Sequence, residues 1–324
     1  MCGIKNKEIT MKILITGVHG FVGSNLVEVL KKEHTLYGLD IISPIKDGIR
    51  FTFSWDFLDK KNEIPEVDAI IHLAGKAHDT KNQSAADVYF KVNTGLTQKV
   101  FDWFLKQSNC KKFVFFSTAK AAADRVDGVL TEDVIPSPVG PYGESKIKAE
   151  EYILSKMEDV RGKSKDVYIF RPCMIHGPGN KGNLNLLYNV VKKGIPWPLG
   201  AFENRRTFTS VENICFAVNG VLTKDVPSGI YNMGDDEALS TNELIEEICK
   251  SLGKKPHIWK LPKGMMNGIA KVGDVLHLPL NTERLRKLTE NYISSNEKIK
   301  KALGIKKMPV DARSGLKVTL RSFQ

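Results

Sequence analysis

Short apolar runs alternate with amphipathic stretches through the first half of the chain. Residues 12–16, with Ile13-Leu14-Ile15 at their centre, read as a buried strand, and 21–32 carry Leu26, Val29 and Leu30 on one side of a helix. Further strands are predicted over 34–40, 69–74, 112–117 and 166–171, with helices over 87–108 and 142–156. Strands in alternation with helices point to a parallel sheet covered on both faces, because each parallel crossover carries a helix.

Beyond Pro172 the texture changes. His176-Gly-Pro-Gly-Asn180 is a loop cluster, and prolines recur at Pro196 and Pro198. Residues 241–252 read as an amphipathic helix capped by Ser240 or Thr241, and 255–262 as a short strand. The pattern divides the chain into a first domain over 11–172 and a smaller lobe over 173–324, part of which, about 207–229, returns to the sheet. Residues 1–10 read as an N-terminal extension.

A length of 324 residues agrees with about two domains. Hydrophobic content of 42% and charged content of 26% are ordinary for a globular protein. No run of about 18 apolar residues occurs, so no membrane-spanning helix is expected. The apolar stretch 11–22 holds a glycine cluster rather than a signal-cleavage pattern. Cys2, Cys110, Cys173, Cys215 and Cys249 are scattered without metal-ligand spacing, which predicts reduced thiols, no metal site and a cytoplasmic location. The net charge of +11 is spread over small lysine clusters. It favours anionic substrates and leaves room for weak peripheral contact with a membrane. No basic run is interleaved with aromatics, so nucleic acid is not an expected partner.

Gly17, Gly20 and Gly23 join the first strand to the first helix. Glycines at this spacing permit a tight turn, close approach of the backbone to a pyrophosphate and close strand–helix packing. The helix N-terminus beyond them supplies amide donors for phosphate. Asp40 closes the next strand about 20 residues on, where an acid holds ribose hydroxyls and repels a 2′-phosphate; NAD is therefore expected over NADP. Tyr142 and Lys146 lie four residues apart, one turn apart on one helix face. An ammonium beside a phenol lowers the phenol's pKa. Such a tyrosine can exchange a proton with an alcohol while a nicotinamide exchanges the hydride.

Together these residues resemble the extended branch of the short-chain dehydrogenase/reductases and, within it, the nucleotide-sugar epimerase/dehydratase family. The resemblance covers almost the whole chain. It runs through Thr16-Gly-Val-His-Gly-Phe-Val-Gly23, His72-Leu-Ala-Gly75, Val92-Asn93, Phe115-Phe-Ser-Thr118, Tyr142-Gly-Glu-Ser-Lys146, Arg171-Pro172 and His176-Gly-Pro-Gly179, and then Asn204-Arg-Arg-Thr-Phe-Thr-Ser-Val-Glu-Asn213. It implies an α/β fold, a Rossmann-like doubly wound parallel sheet with a smaller C-terminal substrate-binding lobe, and a homodimer. It also implies that Phe21 and Val22 line the pyrophosphate beside the three glycines. Asp56 and Phe57 would flank the adenine, and Leu73, Ala74 and Gly75 the nicotinamide half. Asn93 would support the cofactor and the active site. Thr118 would hydrogen-bond the reacting hydroxyl, Tyr142 act as general acid/base, and Lys146 bind the nicotinamide ribose and tune Tyr142. Arg206 would grip the substrate diphosphate, with Asn183 as a further substrate contact.

The departures narrow the expectation. Thr118-Ala-Lys120 stands where dehydratases of the family carry Thr-Asp-Glu, so elimination of water across C5 and C6 is not expected. Ala121-Ala-Ala123 replaces the common Val-Tyr-Gly, and Met174 stands near where many C4 epimerases place an Asn on the substrate phosphates. Ser117-Thr-Ala-Lys120, Gly179-Asn-Lys-Gly-Asn183 and Asn204-Arg-Arg206 resemble a subgroup linked to surface-polysaccharide precursors, some of which reduce 4-keto sugars. The expected activity is at C4 of a UDP-hexose or UDP-N-acetylhexosamine, foremost as an NAD-dependent 4-epimerase. The alternative is an NAD(P)H-dependent UDP-4-keto-sugar reductase. A non-catalytic NAD(H)-binding regulator is disfavoured, because both Tyr142 and Lys146 are present.

Overall fold

The computed structural model of the chain describes residues 10–59, 65–77, 85–160, 164–276 and 280–324. β1 (Lys12–Thr16) is buried along all but its first residue and runs through a glycine turn into α1 (Phe21–Leu30). β2 (Thr35–Leu39), β3 (Ile49–Phe53) and a 3-10 turn at Trp55–Asp59 follow. β4 (Ala69–His72) leads to one helical run made of α2 (Ala86–Tyr89), a π-helical stretch Phe90–Gly95 and α3 (Leu96–Lys106). Next come β5 (Lys112–Phe116), the short α4 (Ala119–Ala122), β6 (Val129–Leu130), α5 (Pro141–Val160) and β7 (Asp166–Pro172). The second half holds β8 (Met174–His176), α6 (Asn183–Lys192), β9 (Phe208–Ser210), α7 (Val211–Thr223) and β10 (Gly229–Met233). It closes with α8 (Thr241–Ser251), α9 (Lys263–Leu276), α10 (Thr282–Thr289), β11 (Ile293–Ser294), α11 (Glu297–Leu303) and α12 (Ala312–Arg321).

Among the described residues the main sheet has seven strands in the order β10-β7-β5-β4-β1-β2-β3, every neighbouring pair parallel. Strand order reverses between β1 and β4, which opens a crevice at the carboxyl ends of those two strands. Alternation along β1 sends Ile13 and Ile15 to one face and Leu14 to the other. The first face packs with Leu26 and Val27 of α1 and Ile214 and Val218 of α7; the second packs with Val100, Phe101 and Phe104 of α3 and Ile153 of α5. α7 therefore lies on the sheet beside α1, and β10 joins the sheet edge with Gly229 opposite Tyr168. A separate core under α6, α8 and α12 holds Tyr188, Leu244, Ile248 and Leu316. Ser240 caps α8 in a full capping box with Glu243.

Several expectations are corrected. α1 buries Gly23, Leu26, Val27 and Leu30, the i, i+3, i+4, i+7 stripe that meets α7, and leaves Val29 in solvent. The predicted helix over 87–108 is interrupted by its π-helical stretch. The strand predicted over 255–262 is reduced to isolated pairings of Ile258 with Trp197 and Lys260 with Leu199. Pro196 and Pro198 on the partner segment lack the N–H groups a ladder needs. The edge strand β3 lies where the sequence pattern predicts no strand. Of the extension at 1–10 only Thr10 lies within the described residues, and Cys2 lies outside them. The cysteines at 110, 173, 215 and 249 are unpaired and buried.

Candidate active site

The loops after β1 and β4 cross at the point where the strand order reverses. Gly17 has φ +68°, and a Cβ there would lie 2.9 Å from the Ala74 amide nitrogen. A Cβ on Gly23 would lie 2.5 Å from the Gly17 carbonyl oxygen, so α1 is pressed onto its own entry turn. Gly20 is the N-cap of α1 and offers no side-chain cap, leaving first-turn amides facing outward from the crevice end of β1. Asn25 donates to Phe21 O and to Pro178 O, which ties the His176–Gly179 loop to this first turn. Phe21 and Val22 are half-buried against the core. Asp40, just past β2, accepts from the amides of His19 (3.0 Å) and Ile41 (2.7 Å). It thus braces the glycine turn as well as ending the strand. Bare backbone at a helix N-terminus with an acid at the end of the next strand fits a dinucleotide. Asp56 is exposed in the 3-10 turn, and Phe57 packs edge-on to Phe53 at 5.0 Å.

Behind the crossing loops a buried polar chain runs across the sheet. The Ala74 amide donates to Thr16 Oγ1 (3.0 Å), which lies 2.7 Å from His72 Nδ1; His72 Nε2 lies 2.9 Å from Thr97 Oγ1, which donates to Asn93 O. Every member is satisfied when His72 is neutral, with its proton on Nε2. Burial and the Lys146 charge push His72 down to about 3. The sign follows from linkage: the unfolded chain binds a proton near pH 6.5 that the folded chain refuses until about 3. Stability from this residue is therefore full above pH 6.5 and falls on acidification, by about 2 kcal/mol at pH 5. Urea unfolding of His72→Gln should show a flatter profile between pH 7 and 5 than the parent; equal slopes would disprove the assignment.

The π-helical stretch places Asn93 at the centre of the site. Its Oδ1 accepts from the Lys76 amide (2.7 Å), and its Nδ2 donates to Lys76 O and to Ser145 Oγ (2.9 Å). Ser145 donates onward to Tyr142 O, and Thr94 donates to Ser145 O. The first turn of α5 is thus fastened to the loop after β4. Gly75 lies between them, where a Cβ would be 2.9 Å from Asn93 Oδ1 and 3.2 Å from Lys146 Nζ. Leu73 and Ala74 hold the same loop to Thr16 through backbone donors.

Tyr142 and Lys146 project from α5 toward this junction. The Lys146 ammonium is buried, donates to Phe116 O (2.8 Å) and sits 4.9 Å from the Phe115 ring centre. Burial lowers its pKa to about 8, against the opposing pull of Glu150 one turn further on. Tyr142 is hydrogen-bonded to Thr118, the N-cap of α4, and faces the edge of the Tyr89 ring at 6.4 Å. Its pKa is raised by burial, with the Thr118 hydrogen bond pulling the other way. The expectation of a lowered phenol pKa is therefore corrected: loss of water outweighs the Thr118 hydrogen bond, and the Lys146 ammonium is directed at Phe116 O. Beneath the pair, Glu150 accepts both from Arg171 (Nη2 at 2.6 Å, Nε at 3.0 Å) and from Ser117 Oγ, all fully or almost fully buried.

A second charged cluster starts two residues past Thr118, in α4. Lys120 pairs with Asp124 (2.7 Å) and lies 5.1 Å from the Tyr292 ring centre, and Arg286 of α10 reaches Asp124 at 3.4 Å and Glu290 at 2.6 Å. Arg206 turns inward, donating to Lys287 O, with Glu290, Cys173, Tyr292 and Asp124 as its electrostatic neighbours; burial lowers its pKa. Arg205 turns the other way, to Glu243 (3.1 Å) and Ala238 O. Asn183 is exposed as the first residue of α6. Burial pushes the Cys173 thiol up to about 12, so it stands beside this cluster as a neutral group. Sequence reasoning missed His19, Ser145, the Glu150–Arg171–Ser117 network and the Lys120–Asp124–Arg286 cluster. Only Glu150 carried a signal, its place four residues after Lys146.

Residues 13–234 match the model of the NAD dependent epimerase/dehydratase family. A UDP-glucose 4-epimerase of Vibrio cholerae is 31% identical over 274 residues, covering 79% of this chain and 80% of its own. A dTDP-4-dehydro-6-deoxyglucose reductase of Escherichia coli is 26% identical, covering 75% of this chain and 82% of its own. Among solved structures, the UDP-glucuronic acid 4-epimerase of Bacillus cereus in complex with NAD superposes with a TM-score of 0.74 at 20% identity, covering 97% of this chain and 98% of that one.

Proposed function

The chain belongs to the NAD-dependent epimerase/dehydratase family, and from that premise we propose that it is a 4-epimerase of a UDP-hexose or UDP-N-acetylhexosamine, serving surface-polysaccharide precursors. The observation that carries the reading is the Tyr142 phenol, hydrogen-bonded to Thr118 and one turn from the buried Lys146 ammonium, beside a dinucleotide cradle. Gly17, Gly20, Phe21, Val22 and Gly23 would hold the pyrophosphate, Asp40 the adenine ribose, and Asp56 and Phe57 the adenine. Leu73, Ala74, Gly75, Asn93 and Lys146 would hold the nicotinamide half. Bound NAD supplies a hydride acceptor. Tyr142 takes the proton of the C4 hydroxyl, which Thr118 orients, and returns it to the oxygen after the sugar has presented its other face. Position 120 carries an ammonium where elimination would need a carboxyl group, so no dehydration step is assigned. Residues 173–324 form the substrate-binding lobe in this reading, with 207–229 returning to the sheet, and the enzyme acts as a cytoplasmic homodimer.

The name of the Escherichia coli relative favours a second reading, a UDP-4-keto-sugar reductase that uses the same residues once, with Tyr142 donating to the C4 oxygen. Incubating the NAD-loaded protein with a panel of UDP-sugars and following products by NMR separates the two. An epimerase interconverts C4 epimers with catalytic NAD. A reductase consumes one NADH per 4-keto sugar. No turnover of any UDP-sugar in either direction would sink both.

Arg206→Ala should raise the substrate KM about 10- to 100-fold, the worth of one lost charge-assisted contact to a diphosphate, with NAD affinity unchanged. Arg205→Ala, whose side chain points to Glu243, should change KM less than about 2-fold. Steady-state kinetics that reverse the two would place the substrate on the other side of this segment.

A further inference from the structure

α9 buries Met266 and Ala270 against Leu199 and Leu285, and this inner face accounts for its seat on the protein. A second apolar arc remains outside. Met265, Ile269, Val272 and Leu276 recur at i, i+4, i+7 and i+11, with Val275 beside them, and these five are 43 to 75% exposed. Gly264 and Gly268 fall within the same arc and meet nothing within 4 Å, so no polar side chain interrupts it. Trp259 is exposed just before the helix. A stripe of this length does not arise from scattered surface hydrophobics.

The charge around the stripe is one-sided. Residues 254–276 contain five lysines (Lys254, Lys255, Lys260, Lys263 and Lys271), all exposed, against one acid, Asp274. Lys254 reaches Lys192 O, which brings the exposed pair Lys192 and Lys193 to the same rim. Self-pairing through α9 would set these lysine clusters against each other, which disfavours a second copy as the occupant. An apolar helical arc edged by lysines, with a tryptophan at one end, is the chemistry of a helix lying in a lipid interface: the lysine stems run along the apolar surface while their ammonium groups meet anionic headgroups.

We propose that the outer face of α9, with Trp259 and its lysine rim, docks the protein onto an anionic phospholipid bilayer. No helix among the described residues is long and apolar enough to cross a membrane, so contact through α9 is peripheral. Docking would set the bilayer near the Lys120–Asp124–Arg286 cluster, because α10 packs on α9 through Leu285 and carries Arg286, the partner of Asp124.

The test uses the full chain with NAD and vesicles of phosphatidylcholine, with or without one quarter phosphatidylglycerol. The parent should cosediment with the anionic vesicles, at least about 10-fold more weakly with pure phosphatidylcholine or in high salt, and its tryptophan emission should shift to shorter wavelength on binding. Ile269→Ser with Val272→Ser should lower binding at least about 10-fold with circular dichroism and NAD affinity unchanged. Lys260→Glu with Lys263→Glu, on exposed positions that leave the stripe intact, should do the same. Three results would overturn the proposal. The parent fails to bind anionic vesicles; both double variants bind like the parent; or the serine variant changes the solution mass while vesicle binding persists, which would make α9 a protein–protein contact.

Discussion

Tyr142→Phe should lower turnover of the UDP-sugar by about 10²- to 10⁴-fold, the usual worth of a positioned acid/base group. NAD affinity should change by less than about 2-fold. The substitution removes one oxygen and leaves the ring, its contact with Tyr89 and the fastening of α5 through Ser145 in place. Thr118→Val should cost less, because it removes the hydroxyl that orients the reacting group and not the proton carrier. Titration calorimetry with NAD, beside NMR of product formation, separates binding from chemistry. More than a few per cent of parental turnover in the phenylalanine variant would remove Tyr142 from the proton path.

The second large effect is on stability. Arg171→Leu would leave the Glu150 carboxylate, which is fully buried, with Ser117 as its remaining hydrogen-bond partner and the Lys146 ammonium as its remaining neighbouring charge. Breaking a buried pair from one side costs about 3–5 kcal/mol, because the surviving charge keeps its desolvation penalty and loses its compensation. Replacing both partners, Arg171→Leu with Glu150→Leu, should recover part of that loss, since neither member of the pair is left as a stranded charge, while Lys146 loses the pull of Glu150. Urea unfolding of the parent, the single variant and the double variant reads the difference. A single variant within about 1 kcal/mol of the parent, or a double variant less stable than the single one, would show that the pair is not held as buried charges.

Much of the architecture is legible in the chain because it follows from local rules. Ile13-Leu14-Ile15 must be buried on both faces, and an apolar run flanked by a glycine turn and a helix fits a parallel strand. Gly17 and Gly23 are needed because a Cβ at either position would lie 2.9 or 2.5 Å from a backbone atom, a distance no side chain tolerates. The spacing of Tyr142 and Lys146 puts them on one helix face whatever surrounds the helix. Ser240 and Glu243 form their capping box within four residues.

The rest depends on groups far apart in sequence. The Asp124–Arg286 contact spans 162 positions and leaves no periodic trace in either segment. The Tyr142 pKa is decided by how much water the assembled site removes, a quantity absent from the Tyr-x-x-x-Lys spacing, and it moves opposite to the sequence expectation. Arg205 and Arg206 are adjacent and chemically alike; only the pairing of this segment with Leu239 and Tyr292 sends one inward and the other to Glu243. α9 has two apolar arcs, and its sequence cannot say which one the core takes. Packing against Leu199 and Leu285 seats one and leaves the other facing outward, because a helix can press only one face at a time onto the protein beneath it.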